Sequence, residues 1–236
     1  MKKDKYIEFT LEQQIVNQLL LRSSIETNIG LFYGKMGLIL FFAHYFKHSI
    51  KPVFDDTAGD LMDELMQEIH TEIPIDLASG LSGIGWGVEY LIQNSFVEGD
   101  SLEVCEEIDT KIMKYDLLRI TDYSLETGLE GLLHYALAHI KGVMSQHSKL
   151  PFDEMYLSDL LQAVTNIPKG TELSENFKNI SSKYSAFYKN RSRIDYSFQP
   201  LSFIEDIEIE KNKLDSFPLG IKKGLSGYML RKLISN

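Results

Sequence analysis

Few side chains in this 236-residue chain stand where they could do chemistry. Glu89, Glu130 and His134 fall in otherwise apolar stretches, where an ionisable group is costly unless it is paired or borders a cavity. Two carboxylates facing each other across a cavity are what glycosidic-bond hydrolysis requires, and a histidine beside them adds an acid/base. The alternative is structural pairing, with Lys35 or Lys223 as partners for the glutamates. His44 and His48 are four residues apart, a spacing that can chelate a metal on one helix face. Only Tyr-Phe-Lys stands between them, without a carboxylate, so we read a partly buried His44 and a solvated His48 at a helix C-terminus. Cys105 is the one cysteine, which excludes an internal disulfide or a multi-cysteine metal site built by this chain alone. Ser79, Ser82 and Thr127 read as helix caps rather than nucleophiles, since no local partner activates them.

A repeat positions these residues. Leu31-Phe-Tyr-Gly34-Lys-Met-Gly37-Leu38, Leu77-Ala-Ser-Gly80-Leu-Ser-Gly83-Ile84, Leu125-Glu-Thr-Gly128-Leu-Glu-Gly131-Leu132 and Ile221-Lys-Lys-Gly224-Leu-Ser-Gly227-Tyr228 share one pattern, an apolar residue followed by two glycines three apart. The first glycines are separated by 46, 48 and 96 residues. The last interval is twice the one before it, so a degenerate unit is expected near Asn176, making five in all.

Each period holds two helical patterns. Ala58, Leu61, Met62, Leu65, Met66 and Ile69 follow a three-and-four spacing with acids opposite, as do Leu102, Cys105, Ile108, Ile112 and Tyr115, and later Phe152, Met155, Leu160, Leu161 and Val164; these predict amphipathic outer helices. After each motif the chain turns apolar almost all round, at Leu38–Phe46, Ile84–Ile92 and Leu132–Ile140, which predicts buried inner helices. Five such hairpins imply an all-α architecture, an α/α toroid forming a short or incomplete ring. The glycines would give the entering loops conformational freedom and let neighbouring inner helices approach. Inner-helix N-termini gathered at one end would present free amides to a shared mouth, favouring anionic or carbonyl-rich ligands. His134 lies six residues after Gly128, and Trp86 six after Gly80, so the two should stand at one level of their helices.

Composition narrows the partners. A net charge of −10 repels phosphate backbones and anionic lipid surfaces, so neither nucleic acid nor a membrane is an expected partner. The longest apolar stretch, Met36–Phe46, is too short to span a bilayer, and no secretory signal follows the charged Met1–Tyr6; a cytoplasmic protein is expected. Between Pro168 and Pro200 the glycine motif is lost. Lys178, Lys183, Lys189, Arg191 and Arg193 alternate there with Phe177, Tyr184, Phe187, Tyr188, Tyr196 and Phe198. Such interleaving could form a single-strand nucleic-acid surface; given the chain's charge we read a decayed inner helix whose aromatics pack in the core.

The run Leu77-Ala-Ser-Gly-Leu-Ser-Gly-Ile-Gly-Trp-Gly-Val-Glu-Tyr-Leu-Ile92, with Gly30–Leu38, Thr127–Leu133 and Phe217–Gly227, resembles the repeats of lanthionine synthetase C-like proteins. The resemblance spans four of the five units and implies one α/α domain over residues 1–236. It further implies a place in the modification of ribosomally made peptides, where the family's cyclases add cysteine thiols to dehydrated serines or threonines. In the zinc-dependent cyclases two cysteines and a histidine, at or just before glycines of later motifs, hold the metal that activates the thiol. Here Tyr33, Ser79, Thr127 and Lys223 precede the first glycines. None is a soft ligand, and the five units fall short of the family's full ring. Zinc-dependent thioether formation by this chain alone is therefore not expected, and neither a metal nor another cofactor is called for.

The reading that follows is a peptide- or small-ligand-binding accessory or pseudoenzyme, with a lanthipeptide-modifying enzyme as a candidate partner. Tyr33, Lys35, Ser79, Ser82, Trp86, Thr127 and Lys223 would line the mouth, with Glu89, Glu130 and His134 deeper. A carbohydrate-active hydrolase or epimerase using the two glutamates and the histidine is the alternative, by analogy of fold. A third reading is a structural module that closes its ring by forming a homodimer.

Overall fold

In the computed structural model, residues 9–69, 72–147, 149–191, 194–197 and 200–235 are described. The inner helices are α2 (Lys35–Ser49), α4 (Leu81–Gln93), α7 (Leu129–Gln146), α9 (Glu175–Asn190) and α10 (Leu225–Ile234). Outside them lie α1 (Leu11–Ser23), α3 (Pro52–Glu68), α5 (Ser101–Val104), α6 (Glu106–Ile112) and α8 (Glu154–Thr165). Short 3-10 turns occupy Leu117–Arg119, Pro200–Phe203 and Lys211–Ser216. Among the described residues there is no strand.

The fold is an α/α toroid. Its staves pack in the order α10, α2, α4, α7, α9, so the last motif of the chain closes onto the first. The outer layer seats α1 on α10 and the Lys211–Ser216 turn, α6 on α4, and α8 on α9. The hairpin partner of α3 is α2, the inner helix before it, whereas sequence order alone couples each outer helix with the inner one that follows. The outer helix expected over Leu102–Tyr115 breaks at the buried Cys105 and stops at Ile112, leaving Tyr115 exposed.

The degenerate unit is α9. Ser174 caps it by accepting from the Phe177 amide, and Phe177, Ile180, Tyr184 and Phe187 are buried. Of the aromatics of this stretch, Phe177, Tyr184, Phe187 and Tyr196 are core residues, and Tyr188 is half-buried against the core; Arg193 and Phe198 lie outside the described residues.

The glycine pairs work differently from the expectation. Gly34, Gly80, Gly128 and Gly224 each precede an inner helix with φ between −111° and −138°, extended values that any residue adopts. What they supply is space: a Cβ on Gly34, Gly80 or Gly128 would fall on the carbonyl of Asn28, Pro74 or Asp122 in the entering loop. Those same carbonyls accept from the first amides of the helices, Lys35 N to Asn28 O at 2.7 Å, Leu81 N to Pro74 O at 2.8 Å and Leu129 N to Asp122 O at 2.9 Å. The leading orphan donor of each of these helices is thus satisfied by the loop that leads into it. These leading amides are not free for a ligand, so backbone already occupies much of the expected mouth of converging N–H groups.

The second glycines set the spacing between staves. A Cβ on Gly131 would lie 2.7 Å from Leu77 Cβ, one on Gly83 2.9 Å from Leu31 Cβ, and one on Gly37 2.9 Å from Ile221 Cγ2. Each thus seats the leading apolar residue of the neighbouring motif. Backbone bonds join the loops in the same order: Leu77 N and Ala78 N donate to Glu126 O, Phe32 N to Ala78 O, and Lys222 N to Phe32 O, at 2.9–3.1 Å. The N-terminal ends of α7, α4, α2 and α10 are stitched into one collar.

Candidate functional site

Three polar assemblies hang on this frame. The first lies on the collar. Tyr33 donates to Glu126 Oε2 at 2.7 Å, Lys222 pairs with Glu126, and Lys223 pairs with Glu205 at 3.2 Å. Burial, then the bond to Glu126, pushes the Tyr33 phenol up to about 12. Burial would raise the Glu126 carboxyl too, but Lys222 and Tyr33 hold it below its ordinary value.

Of the residues expected as caps, Ser82 and Thr127 turn their hydroxyls to the loops, and Ser79 joins its loop through its backbone amide. Ser82 donates to Ile75 O at 2.5 Å, Thr127 donates to Asp122 Oδ2 at 2.6 Å, and the Ser79 amide donates to Asp76 Oδ1 at 2.7 Å. Each inner helix with a glycine motif starts at glycine without a side-chain cap. Lys35 turns outward to α3, pairing with Glu68 at 2.5 Å and Glu64 at 3.0 Å. Neither Lys35 nor Lys223 partners an inner-helix glutamate.

The second assembly is buried between α4, α6 and α7. His139 Nδ1 lies 2.5 Å from Glu89 Oε1 and Nε2 lies 2.8 Å from Asp109 Oδ2. Tyr135 donates to Asp109 Oδ1 at 2.5 Å, and Gln93 donates to Glu89 Oε2 at 2.6 Å. Burial lowers the imidazole's basicity, but Asp109 and Glu89 outweigh it and hold the group at about 9. The Asp109 carboxyl is raised, foremost by burial. Cys105 is buried beside this cluster, and desolvation together with Asp109 and Glu89 pushes its thiol well up, the opposite of an activated thiolate.

The third assembly lines a cavity of about 200 Å³ between α7, α9, Tyr196–Ser197 and Ser202–Phe203. Glu130 and His134 border it with Asn176, Asn179, Lys183 and Tyr196. Glu130 accepts from Ser174 at 2.8 Å, and burial raises its carboxyl above the ordinary value. His134 Nδ1 is 2.8 Å from the Tyr196 hydroxyl, to which Trp86 Nε1 also donates at 2.8 Å. Trp86 and His134 therefore stand at one level, as their equal offset from the glycines predicts. Burial, then the charge of Lys183, lowers His134 to about 4, so it is neutral at physiological pH. Phe203 fills the centre of the ring against Phe32, Trp86 and His134, with centroids 5.0–5.6 Å apart.

Of the three acid/base candidates, the structure brings Glu130 and His134 together. Glu89 is absent from the cavity lining and is committed to His139 and Gln93. Two carboxylates facing across one cavity, the arrangement hydrolysis needs, are not formed by this pair. His44 is half-buried and bonded to the Tyr90 hydroxyl at 2.8 Å, while His48 is exposed. Residue reading missed His139, Asp109, Tyr196 and Lys222. The detectable signal was Asp109, which shares the apolar stripe of Cys105 and Ile112.

The zinc of the cyclases does not fit the residues present. Tyr33, Thr127 and Lys223 are engaged as above or lack a soft donor, Cys105 is sealed in the core, and among the described residues no group of three His, Cys, Asp or Glu could hold a metal ion. Among them, too, no helix is long and apolar enough to cross a membrane.

A helical toroid stitched by repeated glycine loops, with a polar cavity among its inner helices, defines the class. A family model described as lanthionine synthetase C-like protein matches residues 2–193, and the chain belongs to that family. No curated protein and no solved structure matches it.

Proposed function

We propose that this lanthionine synthetase C-like protein is a ligand-binding module, an accessory or pseudoenzyme in the modification of ribosomally made peptides, acting beside a peptide-modifying enzyme. The observation that carries the reading is the cavity between α7 and α9, where Glu130 and His134 meet Lys183 and two asparagine amides. Convergent polar groups in a concave, mostly prebuilt site mark ligand binding. The poor fit of the residues to zinc, set beside family membership, favours binding over thioether chemistry by this chain.

Saturation-transfer NMR with mixtures of amino acids and di- and tripeptides tests it. The wild-type chain should show saturable binding of at least one probe, lost in His134→Leu. Absence of saturable binding across the mixtures, or binding unchanged by His134→Leu, would overturn it.

A further inference from the structure

The outer helix α3 packs chiefly on α2, and the flank it turns toward the 95–97 turn at the end of α4 borders a groove of about 410 Å³. Buried Ile39, Ala43 and Leu91 form its floor, with Met62 and Phe96 half-buried at its sides. The residues that line it run from Ile39 to Lys47 in α2 and from Asp55 to Asp63 in α3, about 12 Å or two turns of each helix. The groove follows both helices along their length.

Gly59 stands midway along the α3 wall. A glycine inside a helix is costly beside alanine, and in the inner helices close contact accounts for it: a Cβ on Gly85 would strike Tyr135, one on Gly87 Met36, and one on Gly142 Glu89. A Cβ on Gly59 would meet nothing within 4 Å. The room this glycine leaves serves no neighbour in the chain, and it faces the groove. Asp55 and Asp63 flank it at four-residue spacing, both exposed and joined to no ion pair among the described residues. On the opposite side Lys47 is already engaged, donating to Asn94 O at 3.1 Å and lying 3.6 Å over the Phe96 ring. An apolar floor is thus walled along α3 by unpaired negative charge.

The form of the occupant follows from the walls. Both are helices whose backbone groups are bonded internally, so an incoming segment finds no edge to pair with and must satisfy its own amides and carbonyls. Of the ways to seat a peptide, that leaves an amphipathic helix laid in the groove. We propose that the α2–α3 groove docks a cationic amphipathic helix of a partner protein, its apolar stripe on Ile39, Ala43, Leu91 and Met62 and its basic side chains beside Asp55 and Asp63. The two carboxylates stand about 12 Å apart along α3 at the helical rise, so basic residues two turns apart on the partner match them. The groove shares no lining residue with the α7–α9 cavity, and the proposal does not rest on that cavity's ligand.

The probe is a fluorescein-labelled Leu–Lys helix of about four turns with a single apolar stripe flanked by lysines. A Leu–Glu helix with the same stripe and a Leu–Lys peptide of scrambled order are the controls. Fluorescence anisotropy should show saturable binding of the probe, with both controls weaker by roughly tenfold or more. Asp55→Asn combined with Asp63→Asn should weaken the probe about five- to tenfold, the loss of two exposed charge pairs. Glu172→Gln with Glu175→Gln removes as much charge at the start of α9, where both acids are exposed, and should leave binding as it is. Gly59→Leu fills the open space and favours the helix, so it should weaken the probe tenfold or more while the thermal midpoint holds or rises. Absence of saturable binding, equal binding of either control peptide, or full binding by both the Gly59→Leu and the double aspartate variants would each overturn the proposal. So would a dimer in sedimentation that Gly59→Leu dissolves, which would give the groove to a second copy of the chain.

Discussion

His139 Nδ1 sits 2.5 Å from Glu89 Oε1, and both side chains are fully buried. With Asp109 on the other ring nitrogen, the imidazole is a cation between two carboxylates, tying α4 and α7 of the inner ring to α6 of the outer layer. Charges so deep cost desolvation and are held only by full hydrogen bonding. Tyr135 and Gln93 supply the remaining donors, and Gly142 leaves the space for the Glu89 carboxylate, since a Cβ there would strike it.

Removing one member should strand the others. His139→Ala leaves two buried carboxylates without their cation, and about 3–5 kcal/mol of stability should be lost, read from urea unfolding at neutral pH. A solvent-exposed pair makes the control: Lys178 lies 2.6 Å from Glu175 on the surface of α9, and Lys178→Ala should change stability by under about 1 kcal/mol. Similar losses for the two variants would contradict a buried structural pin.

The same cluster gives stability a pH dependence. A group whose pKa is higher folded than unfolded binds more protons when folded, so its contribution is complete below the unfolded value and fades as pH rises through the folded one. For His139 that window runs from 6.5 to about 9, on the order of 3 kcal/mol at about 1.4 kcal/mol per pH unit. The raised Asp109 carboxyl acts with the same sign, from 3.8 upward. The urea midpoint of the wild-type chain should therefore fall between pH 6.5 and 9, and His139→Gln should lack this fall. Parallel pH profiles would refute the assignment.

The architecture was legible because it repeats. Glycine pairs at a common phase mark the inner helices, and the doubled interval locates α9. Trp86 and His134 were placed together by counting from Gly80 and Gly128. What periodicity could not supply was partners across elements. Asp109 meets His139 thirty residues away and Tyr196 meets Trp86 across 110, contacts set by how the staves close rather than by local pattern. The role of the glycines was likewise hidden, because a loop carbonyl folded back onto the helix start leaves no trace in the sequence except the missing side chain.

That role separates two glycine substitutions. Gly131→Ala would place a Cβ against the Leu125 carbonyl and 2.7 Å from Leu77 Cβ, positions that backbone and a neighbouring stave hold fixed. A loss of about 1–3 kcal/mol is expected. Gly59, within α3, has nothing within 4 Å of such a Cβ, so Gly59→Ala should gain about 0.5–1 kcal/mol from helix propensity. Thermal unfolding of the pair checks the sign of each. A neutral Gly131→Ala would mean that the inner helices can slide apart.

Tyr196 couples the ring centre to the cavity, and the sole tryptophan reports on it. Tyr196→Phe removes the hydroxyl that accepts from Trp86 Nε1 and meets His134 Nδ1, at a cost of about 1–3 kcal/mol for a lost buried partner. Trp86 is fully buried, and losing this acceptor should shift its emission to shorter wavelength. With the phenol gone, His134 Nδ1 loses its partner at 2.8 Å, so the ¹⁵N shifts of the imidazole should move. A variant with unchanged emission and unchanged imidazole shifts would show that the Tyr196 hydroxyl does not join Trp86 to His134.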